Sequence, residues 1–112
     1  MTITVRVAHD RRTRRDFLML PYRLYRGDPN WVSPLTAEVA RVLDVSRNPY
    51  FRDARLRSFV GYRDGEAVAR TSIVIDRKFE ETYRKRTAFF GFFECIDDAD
   101  VAARLFSEAE AF

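Results

Sequence analysis

The sequence predicts a mixed α/β fold in one domain, ordered strand, helix, helix, three antiparallel strands, helix. Three observations carry this reading. Ile3, Val5 and Val7 alternate with Thr2, Thr4 and Arg6, the two-residue period of a half-buried strand. Asp64-Gly65 separates two strand-like runs, Arg55 to Arg63 and Glu66 to Asp76, by the short connection that favours a tight antiparallel hairpin. Val101, Ala102, Leu105, Phe106, Ala109 and Phe112 recur at helical spacing and give the final segment one apolar face.

Each element follows from its residues. After the strand over Thr2 to Ala8, Asp10 to Thr13 offers helix-start chemistry, with Thr13 and Asp16 at capping-box spacing. Phe17, Leu20 and Leu24 supply the apolar stripe of a first helix. Pro21 falls inside that stripe, removes an N–H and crowds the preceding turn, which predicts a kink or a break. Tyr25 to Pro34 has the Gly, Pro, Asp and Asn density of a loop, yet carries Tyr25 and Trp31, aromatics that need something to pack against. Ser33 before Pro34 reads as the start of a second helix with Leu35, Val39, Val42 and Leu43 on its buried face, ended by Asn48-Pro49. Ile73-Val74-Ile75 is a continuous apolar run suited to a central strand. Lys78 to Arg86 fits a short helix or an extended loop, and Thr87 to Cys95 reads as a buried strand rich in phenylalanine. Asp97 or Asp98 then caps the last helix. That helix is apolar up to Phe112, which reads as a cut end rather than a finished one.

Composition narrows the function classes. With 112 residues, 46% of them hydrophobic and 14% aromatic, the chain can bury a small core, which excludes general disorder. Cys95 is the only cysteine, so there is no disulfide framework and no zinc set, and it reads as a small buried side chain. The amino terminus lacks the apolar core of a signal peptide and no stretch reaches membrane-spanning length, so the expectation is a cytoplasmic protein without a membrane partner. The net charge of +3 conceals a basic region up to Arg86 and an acidic one from Glu94 onward. The basic residues, nearly all arginine, are scattered over several elements. They therefore read as a solvated surface rather than as a nucleic-acid face.

Certain residues, taken with this order, resemble the amino-terminal part of a bacterial family in the GNAT superfamily of acyl-coenzyme A dependent N-acetyltransferases. The matching stretches are Phe17 to Leu35, which contains Tyr25-Arg26-Gly27-Asp28-Pro29-Asn30-Trp31-Val32, then Asn48-Pro49-Tyr50-Phe51, Arg63-Asp64-Gly65 and Phe90-Gly91-Phe92-Phe93-Glu94. The resemblance implies that residues 1–112 form the amino-terminal half of a GNAT-like fold with an incomplete sheet, the strand ending at Glu94 being its fourth. It implies an acyl-coenzyme A, lying between that strand and a missing fifth, as donor to an amine. On this reading the chain is a truncated fragment and is inactive alone. GNAT enzymes usually hold the coenzyme A pyrophosphate on a glycine-rich turn, whereas this sequence has Cys95-Ile96-Asp97-Asp98-Ala99-Asp100 there. Carboxylates at a helix start satisfy its N–H groups themselves and repel a pyrophosphate, so no cofactor-binding residue is assigned.

The resemblance makes Glu94 the candidate proton acceptor, against the plainer reading of a solvated carboxylate or one paired with an arginine. It makes Tyr25, Arg26, Asp28, Asn30 and Trp31 candidates for the acceptor-substrate side. The plainer alternative for these is a loop pinned by Trp31 and braced by an Arg26–Asp28 pair. His9 is solitary, Ser33 and Ser46 read as caps, and no metal constellation is present. The alternative class is a non-catalytic interaction module whose fourth strand pairs, as an exposed edge, with another chain or a second copy.

Overall fold

The structure is a computed structural model that describes residues 2–30, 36–84 and 88–112. The elements are β1 (Ile3–Val7), α1 (Arg11–Leu24), α2 (Thr36–Val42), a short 3-10 turn (Pro49–Arg52), β2 (Ala54–Arg63), β3 (Glu66–Asp76), α3 (Arg77–Tyr83), β4 (Phe89–Cys95) and α4 (Ala99–Glu110). The fold is mixed α/β, as expected. The expected three-stranded meander is present and β1 joins it, so that β4 is the fourth strand of an open antiparallel sheet in the order β1-β2-β3-β4.

The β2–β3 hairpin closes as its sequence predicts. Asp64 and Gly65 have φ of 51° and 83°, the left-handed pair that matches a two-residue turn to the twist of its strands. The Asp64 carboxylate also accepts the Thr2 N–H at 2.8 Å, which ties β1 to the hairpin and sets Ile3 opposite Arg63. At the Gly61/Tyr62 irregularity the register passes from Gly61–Ala69 to Tyr62–Ala67, leaving Val68 as the extra residue. A Cβ on Gly61 would lie 3.2 Å from the Ala69 Cβ and 3.9 Å from Leu105, so glycine lets α4 approach the sheet closely.

A helix covers each face of the sheet. On one face α1 buries Phe17 and Leu20 against Val60, Tyr62 and Ala67. On the other, α4 buries Val101, Leu105 and Ala109 against Phe59, Val68, Ala69 and Ile73, with Ile3, Val5 and Val7 packed alongside. The alternation of Phe59 and Val60 is the strand period at work, sending successive side chains to opposite cores. Fully burying each of these larger side chains contributes about 1.5–3 kcal/mol.

Several expectations are corrected. The cap of α1 lies one turn earlier than Thr13 and Asp16: the Asp10 carboxylate accepts the Thr13 N–H at 2.8 Å and the Thr13 hydroxyl accepts the Asp10 N–H at 3.2 Å. Asp16 instead accepts the Tyr62 hydroxyl at 2.6 Å. The helix runs through Pro21 without a break. Val42 is exposed, while Val39 and Leu43 are half-buried; Leu35 and the Ser33-Pro34 start lie outside the described residues. Ser46 caps nothing, its hydroxyl donating to Asp44 at 2.6 Å. Lys78 to Arg86 resolves into α3 over its first part, capped by the Asp76 carboxylate.

The largest correction concerns β4. The phenylalanine run is exposed rather than buried, with Phe89, Phe90, Phe92 and Phe93 retaining 38–62% of their surface. The cause is topological: β4 is an edge strand, and no described element lies along its outer side. It is also irregular. Arg70 pairs with Glu94 and Ser72 with Gly91, so Thr71 faces two residues, Phe92 and Phe93. Phe92 sits at φ 53°, a left-handed conformation that costs a bulky residue about 1–2 kcal/mol. The bulge turns Phe90 and Phe93 to the same face, where their rings pack on Phe106 at 5.6 and 5.0 Å.

Candidate active site

The site is built where α1 ends and the β4 bulge closes. Tyr25 is the C-cap of α1, its N–H donating to the Pro21 carbonyl at 3.0 Å. This directs the phenol toward the last residues of β4, and the Tyr25 hydroxyl donates to Glu94 Oε2. The two residues are separated by 69 positions in the chain. Both are half-buried. The hydrogen bond to Glu94, reinforced by burial and by the nearby carboxylate charge, pushes the Tyr25 phenol above its ordinary range.

Beneath the pair lies Arg70, only 5% exposed in the middle of β3 and directly opposite Glu94 in the strand register. Its guanidinium donates from Nη1 to the Phe17 carbonyl at 2.7 Å and from Nε to the Phe92 carbonyl at 3.1 Å. It also sits 4.8 Å from the Phe17 ring centroid and 5.8 Å from that of Phe92. Burial pulls its pKa down while the charges of Glu94 and Tyr25 push it up. An arginine so placed stays cationic.

Of the candidates on the Tyr25–Trp31 segment, only Tyr25 is brought to Glu94 among the described residues. Arg26, Asp28 and Asn30 are exposed. Asp28 accepts the Asn30 N–H at 2.9 Å, a local turn contact, and the expected Arg26–Asp28 ion pair is not formed. Trp31 lies outside the described residues. His9 is exposed, with Nδ1 2.8 Å from the Val7 carbonyl. A cleft of about 710 Å³ opens at the far end of α1, floored by Val7, Phe17, Leu18, Leu43 and Leu56; neither Tyr25 nor Glu94 lines it. Both members of the pair are half-buried, where α1 ends beside the edge strand β4.

Arg70 is the residue that sequence reasoning missed. The signal was nevertheless present. An arginine between Ala69 and Thr71 interrupts an apolar strand, and Pro21 inside a helix announces a carbonyl four residues earlier that needs another donor.

The turn before α4 behaves as its carboxylates predict. Asp98 accepts the Asp100 and Val101 N–H groups at 3.0 and 3.3 Å and pairs with Arg63 at 2.9 Å. These bonds, that from Val101 foremost, hold its carboxyl below the usual range. The first N–H groups of α4 are therefore occupied, and the turn does not fit a pyrophosphate. Cys95 is half-buried, and burial raises its thiol pKa, which disfavours a nucleophilic role. Among the described residues no cluster of His, Cys, Asp or Glu is suited to a metal ion, and no helix is long and apolar enough to cross a membrane.

Together these features define a mixed α/β unit with a phenol–carboxylate pair at the rim of an open sheet. The chain is similar to protein YghO of Escherichia coli strain K12, 35% identical over 108 residues that cover 96% of this chain and 27% of that protein. It is similar also to the bacterial ceramide synthase of Caulobacter vibrioides, 37% identical over 95 residues, 84% of this chain and 25% of that protein. The chain thus spans about a quarter of the length of these relatives. No protein-family model and no solved structure matches it.

Proposed function

We propose that the chain forms the amino-terminal part of a GNAT-like N-acyltransferase, in which Glu94 accepts the proton that an amine sheds as its nitrogen attacks an acyl carbon. The observation that carries the reading is the hydrogen bond from Tyr25 to Glu94, which unites one residue of the distinctive Tyr25–Val32 segment with the candidate base. A carboxylate at a strand end, aligned by a phenol and set over a buried cation, is suited to receive a proton and release it. The relative named as a bacterial ceramide synthase supports the reaction class, because a ceramide is an amide and its synthesis forms a C–N bond. Arg26, Asp28, Asn30 and Trp31 are assigned by resemblance to the side from which the amine arrives. The donor is proposed to be an acyl-coenzyme A. The Asp98 turn, its N–H groups already occupied, does not fit the pyrophosphate of that donor.

In the complete protein, Glu94→Gln is expected to lower kcat for amide formation by about 10²–10⁴-fold while leaving the urea midpoint unchanged. Undiminished turnover in that variant refutes the reading. The 112-residue chain alone is expected to give no binding heat with acetyl-coenzyme A in isothermal titration, and a micromolar Kd would overturn the claim that it is inactive by itself.

A second reading has its own observation, the exposed phenylalanines of the unpaired β4 edge. On this reading the chain is an interaction module that pairs strand to strand with a partner or a second copy. Sedimentation velocity separates the two: a specific, concentration-dependent dimer that Phe90→Lys abolishes favours the module, and a monomer at all concentrations removes the homodimer form.

A further inference from the structure

We infer that Arg70 is the positioning residue of the Tyr25–Glu94 pair, supplying from β3 the hydrogen-bond donor that a proline removes from α1 and a second donor to the bulge of β4. In an uninterrupted helix the Phe17 carbonyl would accept the N–H of residue 21. That residue is Pro21, which has none, and the carbonyl is held instead by Arg70 Nη1 at 2.7 Å. The Phe92 carbonyl belongs to the bulge, outside the paired register of β3 and β4, and it is held by Arg70 Nε at 3.1 Å. The Phe17 contact is buried, where a carbonyl without a donor is costly, and the Phe92 contact is part-buried, so both irregularities draw on the same guanidinium. Its rigid fork can reach two acceptors at once, and a lysine cannot reproduce that.

The two irregularities bracket the pair. Four residues after Phe17, the Pro21 carbonyl caps Tyr25, and two residues after Phe92 stands Glu94. Holding both carbonyls from one planar group fixes the end of α1 relative to the end of β4, and hence the phenol relative to the carboxylate. The contacts of the guanidinium with the Phe17 and Phe92 rings restrict it further. The catalytic importance of this arrangement rests on the proposed role of Glu94; the arrangement itself does not.

The test uses the 112-residue chain and needs no substrate. With the tyrosine ring carbons labelled, NMR titration should show the Tyr25 phenol ionising above the ordinary value of about 10 in the parent. In Arg70→Met it should fall back toward that value as the pair separates. A Tyr25 phenol that stays raised or climbs further in Arg70→Met overturns the proposal, since loss of the cation alone would shift it upward. Urea denaturation supplies a second readout that a general packing role would not give. Pro21→Ala restores the N–H for Phe17, so it should recover part of the midpoint lost in Arg70→Met, and strict additivity of the two substitutions also overturns the proposal. Should Arg70→Met fail to fold, Arg70→Lys is titrated in its place, with the same fall expected and the same persistence counting against it. Failure here leaves the Glu94→Gln turnover result untouched, so the two claims fall separately.

Discussion

Asp98 carries a pH signature with a clear structural cause. Backbone N–H groups of α4 and the Arg63 guanidinium all favour its ionised form, which depresses its folded pKa below the ordinary value of about 3.9. A depressed carboxylate contributes stability that is fully present above the unfolded pKa and is lost as pH falls through the folded one. Asp10 at the α1 cap, Asp76 at the α3 cap and Asp53 beside Lys78 and Arg77 shift in the same direction. The urea midpoint is therefore expected to be flat from neutral pH down to about 4 and to drop below it. Asp98→Asn should lower the neutral plateau and make the acid drop shallower, and an unchanged acid slope in that variant would show that Asp98 is not among the groups responsible. At this level the sequence singled out candidates and said little about contact. Glu94 and Tyr25 both stood out, Glu94 for its strand-end position and Tyr25 for its place in a distinctive segment. Nothing in the spacing said that residues so far apart meet, because that meeting depends on how α1 lies across the sheet.

The hairpin and α4 were legible because their signals are local. Asp64-Gly65 requires positive φ at both residues, and Val101, Leu105 and Ala109 repeat within one helix. β4 was misread for a physical reason: a run of phenylalanine reports a wish to be buried, and only the neighbours decide whether it is. The bulge was equally hidden, since Phe92 in a left-handed conformation contradicts local preference and is held by contacts from β3. Close packing between elements gives firm predictions. Gly61→Val forces a side chain between Ala69 and Leu105 and is expected to destabilise the chain by about 1–3 kcal/mol in urea denaturation. Leu105→Ala, at a position with 0% exposure, should cost about 2–5 kcal/mol, and a value under half a kcal/mol would place the core elsewhere.

The whole molecule is one open sheet with a helix on each face, and its protection should be graded across the strands. β2 and β3 are central and paired on both sides, whereas β4 is paired on one side only. Amide hydrogen exchange is expected to be slowest in β2 and β3 and fastest in β4, with the bulge at Phe92 and Phe93 the first to exchange; equal protection across the sheet would mean that β4 is covered in solution. The fold class was readable from the order of elements. The placement of β1 was not, since its alternation gives a strand without naming its neighbour.

The edge position of β4 also bears on the medium in which Tyr25 donates to Glu94. Both residues are half-buried, so each keeps some contact with water. Any strand laid along β4 would exclude that water and strengthen every charge interaction beside it, at no change to the residues themselves. The surroundings of the pair thus depend on what lies along β4 as well as on its own side chains.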